Sequence, residues 1–261
     1  MTKRLRVLTY NIHKCRGVDG RVRPERILRV LQEINPDVVA LQEVLRVARS
    51  REDDQARFLA EELGFYACMG ENRRLNGGGY GNLLLSRFPL RAIDNYDITV
   101  PGCEQRSCLQ ADVDAGGTTL HFFNIHLGTS FFERRHQARK LLGDRILQNR
   151  NLHGPRIVFG DFNEWTRGLA SRLLSQHFQS VDVRGHLGRS RTYPGLLPLF
   201  HLDHIYFDSA LNCNGLALHR SRTALIASDH LPLFADFELR SIAPVALEEE
   251  SITRSIPLSV A

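Results

Sequence analysis

Four apolar, strand-like runs in this chain each end on a single polar side chain able to bind a cation or move a proton: Asn11, Glu43, His126 and Asp161. Runs such as Leu5 to Ile12, Asp37-Val-Val-Ala-Leu-Gln-Glu43 and Arg156 to Phe159 are too continuously apolar for half-solvated strands, so both faces of their sheets must be covered. Several buried strands that each deliver one polar residue at the tip make a cup for a site. That pattern restricts the fold more than any bulk property does.

Helical spacing appears between some of these runs. Pro24 suits a first helical turn, and Ile27, Val30, Leu31 and Ile34 share one face before Asn35-Pro36 stops the helix. A second helix is expected from about Glu52 to Leu63 with Gly64 as its left-handed cap, and a basic one from about Phe132 to Gln148 with Ala138, Leu142 and Ile146 inward. Further strands are expected near Phe65–Met69, Asn82–Ser86, Cys108–Val113, Leu120–Ile125, His204–Phe207 and Leu233–Leu239, with a turn at Asn76-Gly77-Gly78-Gly79. Neighbouring strands without a helix between them predict mixed sheets. With no internal repeat or linker, residues 1–240 read as one catalytic domain and 241–261 as a C-terminal tail, loose or disordered from Glu248 onward.

The clearest local signal is Ile157-Val-Phe-Gly-Asp161-Phe-Asn163, a strand running into Gly-Asp-x-Asn. Asp161 can orient a water or hold a cation, and Asn163 offers a donor and an acceptor. An Asx-turn would account for the same residues without chemistry. In Ser228-Asp229-His230-Leu231-Pro232, one residue can bind a hard cation while its neighbour handles a proton, and Asp203 of Leu-Asp-His-Ile could bond the far nitrogen of His230. Glu43 is the candidate metal ligand of the N-terminal half, with Asn11 as a neutral oxygen beside it; few oxygen donors plus waters suit Mg2+ or Mn2+ over Zn2+. Asn124 and His126 share a strand face because alternation aligns residues two apart. His13 reads as a supporting or packing residue.

The formal charge of +5 and pI near 9.1 favour an anionic partner. All but three of the 34 Lys and Arg residues are Arg, whose forks suit phosphate, although a codon bias gives the same composition. Five cysteines with no C-x-x-C pair read as buried reduced thiols. The N-terminus lacks the apolar segment of a signal peptide, and no stretch approaches a membrane span, so a cytoplasmic protein is expected.

Taken in order, Thr-Tyr-Asn11-Ile, Leu-Gln-Glu43-Val, Tyr80-Gly-Asn82 leading to Leu-Ser-Arg-Phe-Pro, Asn124-Ile-His126-Leu, Gly-Asp161-Phe-Asn163, Leu-Asp203-His-Ile and Ser-Asp229-His230-x-Pro resemble the endonuclease/exonuclease/phosphatase superfamily from about Leu5 to Leu239. The resemblance implies a four-layer α/β/β/α sandwich of two facing mixed sheets, and a Mg2+-dependent hydrolase of phosphate esters with a nucleophilic water attacking in line. It implies that Glu43, Asn11 and Asp229 hold metal, that His230 oriented by Asp203, or else Asp161, activates the water, and that Asn163 and Asn124 hold phosphate oxygens. His126 would stabilise or protonate the leaving oxygen, and Arg106, Tyr80 and Asn82 would contact substrate. Substrate is less legible. Apolar residues beside Arg in Thr129–Arg135 and Arg191–Phe200 suggest a lipid-like or small phosphodiester. Arg134, Arg135, Arg139, Lys140 and Arg145 instead suggest a nucleic acid backbone. A non-catalytic binding module on the same scaffold is the reading outside enzymes, which the intact acidic set disfavours.

Overall fold

The continuous apolar runs become strands buried on both faces, as β1 (Arg4–Asn11) shows along most of its length. The computed structural model describes residues 4–47, 54–75, 77–115, 117–165, 168–180, 192–194 and 199–239. After β1, a short left-handed turn at His13–Cys15 leads to α1 (Pro24–Ile34), which starts on Pro24 and ends on Asn35 in the left-handed region. Then come β2 (Val38–Arg46), α2 (Gln55–Leu63), β3 (Tyr66–Leu75), β4 (Gly78–Ser86), β5 (Leu90–Asp97), β6 (Ser107–Asp114) and β7 (Thr119–His126). They are followed by α3 (Phe131–Leu141), β8 (Arg156–Asp161), α4 (Leu169–Leu174), β9 (Gln179–Ser180), β10 (Asp203–Phe207), β11 (Leu211–Leu218), α5 (Ala224–Ala227) and β12 (Leu233–Leu239).

Two six-stranded sheets result, ordered β11-β12-β1-β2-β4-β3 and β5-β6-β7-β8-β10-β9. Among the described strands, β1 with β2 and β7 with β8 pair in parallel, each pair spanned by a crossover that carries a helix, and the other described pairs are antiparallel. The sheets face one another across a core that includes Val7, Val38, Ala40 and Leu84 on one side and Leu109, Phe122, Ile157 and Phe159 on the other. A second cluster packs α1, α2 and α5 on the outside of the first sheet, and a third packs α3 and α4 outside the second. These are the four layers that the motifs implied.

The two parallel pairs aim their C-terminal ends at the same place. In the first, Asn11 lies in register with Gln42; in the second, His126 lies in register with Asp161. β10 runs antiparallel to β8, so its first residue, Asp203, meets Asp161 at that end too. Gly160, just before Asp161, has φ 151°, and a Cβ there would come within 1.9 Å of the Ile125 carbonyl oxygen, so only glycine lets β8 lie this close to β7 at the site.

Several expectations need correction. Glu43 is not the exit of its strand: β2 continues to Arg46, and Glu43 sits on a bulge between Leu41 and Val44 with φ 61°. Gly78 and Gly79 belong to β4, because β3 and β4 form a longer hairpin than their apolar cores suggest. α3 stops at Leu141, before Gly143, and Ile146 reaches the third core cluster from the turns that follow. The polar strand β5 and the Gly-containing β11 carried too weak an alternation to be read. Cys103 is exposed, whereas Cys15, Cys68 and Cys108 are buried. The residues assigned to the tail, 241–261, lie outside the described residues, as do Arg191, Leu196 and Leu197 of the second apolar loop. No described helix is long and apolar enough to cross a membrane.

Candidate active site

Asp161 is the hub of the strand-end cluster. It is fully buried, and its Oδ2 accepts from the Asn11 amide at 3.0 Å while Oδ1 accepts from the Asn163 backbone N–H at 2.9 Å. The Nε2 atoms of His126 and His230 lie 3.6 and 3.7 Å from Oδ2. Burial pushes the Asp161 carboxyl up, against the pull of His230 and His126.

The two imidazoles have opposite characters. His230 Nδ1 lies 2.9 Å from Asp203 Oδ2, and because a carboxylate only accepts, that nitrogen carries the hydrogen. Burial alone would lower His230, but Asp203, Asp161 and Asp229 together push it up to about 10, so it is a cation at neutral pH. His126 Nδ1 lies 3.0 Å from Arg106 Nη1, and because a guanidinium only donates, Nδ1 is the acceptor and Nε2 holds the proton. Burial, then the Arg106 charge, bring His126 down to about 4, which leaves a neutral N–H donor aimed at Asp161.

The first sheet supplies the other half. Asn11 Nδ2 also donates to Glu43 Oε1 at 3.3 Å, so one amide straddles carboxylates from both sheets. Ser228 Oγ donates to the Asn11 carbonyl at 2.8 Å and brings the Asp229-His230 turn alongside, where Asp229 Oδ1 lies 3.6 Å from His13 Nδ1. Burial would raise Glu43, yet His126 whenever its ring is protonated, the Lys14 ammonium, and hydrogen bonds from Lys14 and Asn11 hold it down at about 2. Among the described residues no three His, Cys, Asp or Glu side chains converge as a ready cage. The donor chemistry nonetheless fits a hard cation held by one or two carboxylates and waters: Glu43 is ionised, and both it and Asp229 keep part of their side chains open to solvent. Glu43 and Asp229 are the groups that would hold it; the Asn11 amide, whose Nδ2 faces both carboxylates and whose Oδ1 accepts from the His13 N–H at 3.0 Å, would join them only with the amide turned over.

Three expected substrate contacts are placed elsewhere or are already engaged. Asn124 does face the opposite sheet, as alternation predicts, but its Nδ2 donates to the Leu41 and Leu83 carbonyls, both at 2.9 Å, and its Oδ1 accepts from Gln42 at 2.8 Å. Asn82, also fully buried, donates to the Ser107 and Asn124 carbonyls. Both amides clasp the two sheets together behind the cup. Asn163 is at the cup with φ 50°, and its Nδ2 donates to the Leu127 carbonyl at 2.9 Å. Tyr80 borders Glu43, under the cations of Lys14 and Arg73. Arg134 is buried against the Gly128 and Thr129 carbonyls and does not join an exposed basic face.

Two features add to the sequence reading: the Lys14 contact, which it lacks, and the joining of Trp165 to the apolar Arg191–Phe200 loop, of which Tyr193 and Phe200 are described. Lys14 Nζ donates to Glu43 Oε2 at 2.6 Å; its sequence signal was its place three residues after Asn11. An aromatic wall flanks His230: the Tyr193 ring lies 4.9 Å from its imidazole, and Trp165 packs on Phe200 at 4.6 Å and on Tyr193 at 5.9 Å. The Leu231 N–H donates to the Thr192 carbonyl at 2.9 Å, which fixes that wall to the His230 turn.

The family model described as "Endonuclease/Exonuclease/phosphatase family" matches residues 8–230, from β1 through His230. The chain belongs to the endonuclease/exonuclease/phosphatase family. It is similar to the "Uncharacterized protein YbhP" of Escherichia coli (strain K12), with 31% identity over 247 residues, 90% of this chain and 96% of that one. Among solved members of the fold it resembles the mannosyl-6-phosphatase Bt3783 of Bacteroides thetaiotaomicron VPI-5482, at 16% identity and a TM-score of 0.72 over 89% of this chain and 99% of that one. It also resembles D. rerio TDP2 complexed with a single-strand DNA product, at 19% identity and a TM-score of 0.70 over 90% and 99% of the two chains. Family membership makes the chain a phosphoesterase-type hydrolase at the level of its superfamily; those two structures show the fold alone, and their names refer to different substrates.

Proposed function

We propose that this protein is a Mg2+- or Mn2+-dependent phosphoesterase that hydrolyses a phosphodiester by in-line attack of water, on a small or lipid-like substrate. The observation that carries the reading is one buried carboxylate, Asp161, flanked at 3.6 and 3.7 Å by two imidazoles, one backed by the Asp203 carboxylate and the other by the Arg106 guanidinium. A divalent cation bound by Glu43 and Asp229, with the Asn11 oxygen joining once its amide is turned over, would supply Lewis-acid stabilisation of phosphoryl charge. Asp161, its basicity raised by burial, accepts the proton of the attacking water. His230, kept cationic by Asp203, donates toward a phosphoryl oxygen, and preorganised charge of this kind lowers the barrier because no reorganisation is needed during reaction. Neutral His126, its tautomer set by Arg106, stabilises the leaving oxygen with a hydrogen bond from Nε2–H, and the proton that Asp161 took from the water passes to that oxygen as the phosphorus–oxygen bond breaks.

The wall of Trp165, Tyr193 and Phe200 supports an apolar or planar group next to the scissile bond, and the inward turn of Arg134 takes one base away from a nucleic acid track. The test is a Mg2+-supplemented panel of plasmid DNA, single-stranded RNA, a phospholipid, sphingomyelin and an aryl phosphodiester, run with Glu43→Ala and His230→Ala. Turnover of an apolar diester, abolished in both folded variants, is expected. Plasmid nicking with steep salt dependence would replace this substrate class with nucleic acid. Full activity in both variants would refute the site.

A further inference from the structure

Lys14 has no role in the chemistry above, yet its surroundings are more constrained than those of a surface cation. His13, Lys14 and Cys15 have φ of 45°, 57° and 55°, three successive non-glycine residues in the left-handed region, where each conformation costs about 1 kcal/mol or more. Glu43, across from them, is left-handed as well. One buried side chain ties the two segments together. Gln55, the first residue of α2, donates from Nε2 to the Lys14 carbonyl at 2.6 Å and accepts at Oε1 from the Leu45 N–H at 3.0 Å, two residues past Glu43. The amide therefore fixes the backbone of the lysine and of the bulge that presents the glutamate. The ammonium then has little freedom: it bonds Glu43 Oε2 at 2.6 Å and lies over the Tyr80 ring at 5.8 Å. The chain contains only three lysines against a large excess of arginine, and one of the three is here. A compact ammonium takes one carboxylate oxygen, whereas a guanidinium fork tends to take both.

We propose that Lys14 is the resident cation of Glu43, a positioning residue held by Gln55 that takes Oε2, so that a divalent ion would meet Glu43 at Oε1 in place of the long 3.3 Å bond from the Asn11 amide, and that it supplies the second positive charge, so that the cup takes one divalent ion. The proposal rests on the metal-dependent reading given above. It accounts for the 2.6 Å contact that orders Glu43 on its bulge, where the Asn11 amide links it to Asp161. A lysine sharing a carboxylate with a divalent cation repels that cation, and even at water-like screening the repulsion corresponds to about ten-fold in affinity.

The test is Mn2+ binding to the full chain without substrate, followed by electron paramagnetic resonance of free Mn2+, for wild type, Lys14→Met, Lys14→Arg and Glu43→Ala. One Mn2+ per wild-type chain is expected, with binding about ten-fold tighter in Lys14→Met and weaker than the wild type in Lys14→Arg, whose fork would cover both Glu43 oxygens. Two Mn2+ ions in the wild type, or an unchanged Kd in Lys14→Met, overturns the proposal. Glu43→Ala separates the two readings: wild-type Mn2+ affinity in that variant sinks the metal site itself, independently of Lys14. Should Lys14→Met not fold, the wild type still gives an answer. Reductive 13C-methylation labels the three lysines and the N-terminal amine, and the Lys14 resonance is expected to move on Mg2+ addition while the others do not. A Lys14 resonance unmoved at saturating Mg2+ also overturns it.

Discussion

Replacing Asn124 with Ala tests whether that amide binds substrate or holds the sheets together. Its side chain makes three buried hydrogen bonds, to Leu41 O, Leu83 O and Gln42 Nε2. Each is worth about 1 kcal/mol net, and truncation leaves the two carbonyls buried without those donors, at about 1–3 kcal/mol apiece before relaxation. Gln42 loses less, because Thr9 Oγ1 and Ala40 O remain within its reach. The expected destabilisation is about 3–5 kcal/mol, a large share of the ~5–15 kcal/mol typical of a domain. Urea unfolding followed by circular dichroism measures it, with an unchanged m-value showing that the unfolded ensemble is the same. Below its own transition the variant should turn over substrate within about three-fold of the wild-type kcat, since no Asn124 hydrogen bond is made at the cup. A destabilisation under about 1 kcal/mol together with a hundred-fold fall in kcat would refute the clasp and return Asn124 to the phosphate.

Chelation by EDTA should abolish turnover, and Mg2+ or Mn2+ should restore it and raise Tm, as calorimetry would show; activity that survives exhaustive chelation contradicts the metal role of Glu43 and Asp229. Arg106→Met should raise the pKa of His126 from about 4, because a positive neighbour is removed, and NMR titration of the metal-free protein reads this directly. The linkage has a definite sign: His126 is depressed below its unfolded value of about 6.5, so stability present above that pH is lost as pH falls toward about 4, and Arg106→Met should lose less of it. Trp165→Ala should raise KM about ten-fold for a diester with an apolar group and leave a minimal phosphate ester unaffected, because the wall touches His230 through Tyr193 and not through Trp165. Equal losses for both substrates would make Trp165 a structural prop.

The strands that build the cup were legible because each is continuously apolar up to one polar tip, as at Asn11, His126 and Asp161. Glu43 was found for the same reason, but its bulge was not, since a bulge at Gln42-Glu43 depends on the β4 partner and leaves no mark in the run itself. Asn124 and Asn82 were misplaced because a buried amide that clasps two sheets and one that holds a phosphate have the same spacing; only the position of Leu41, Leu83 and Ser107 opposite them decides. Lys14 was overlooked because its reach to Glu43 depends on a left-handed backbone that no residue of His13-Lys14-Cys15 favours. The aromatic wall unites Trp165, Tyr193 and Phe200 across 35 positions of chain, a proximity that no local pattern encodes.

The Asn11 amide that reaches both Glu43 and Asp161 makes the spacing between the two sheets a chemical variable. One half of the donors rides on each sheet, and the layer that separates them is ordinary apolar packing around Phe122, Phe159 and Val38. A methylene gained or lost there shifts one half of the reaction centre against the other without altering a single polar contact within either half. The thickness of the core thus sets the distance that the Asn11 amide has to bridge between Glu43 and Asp161. Variants selected for rate can be expected to map to that hydrophobic interior, far from the water that does the work.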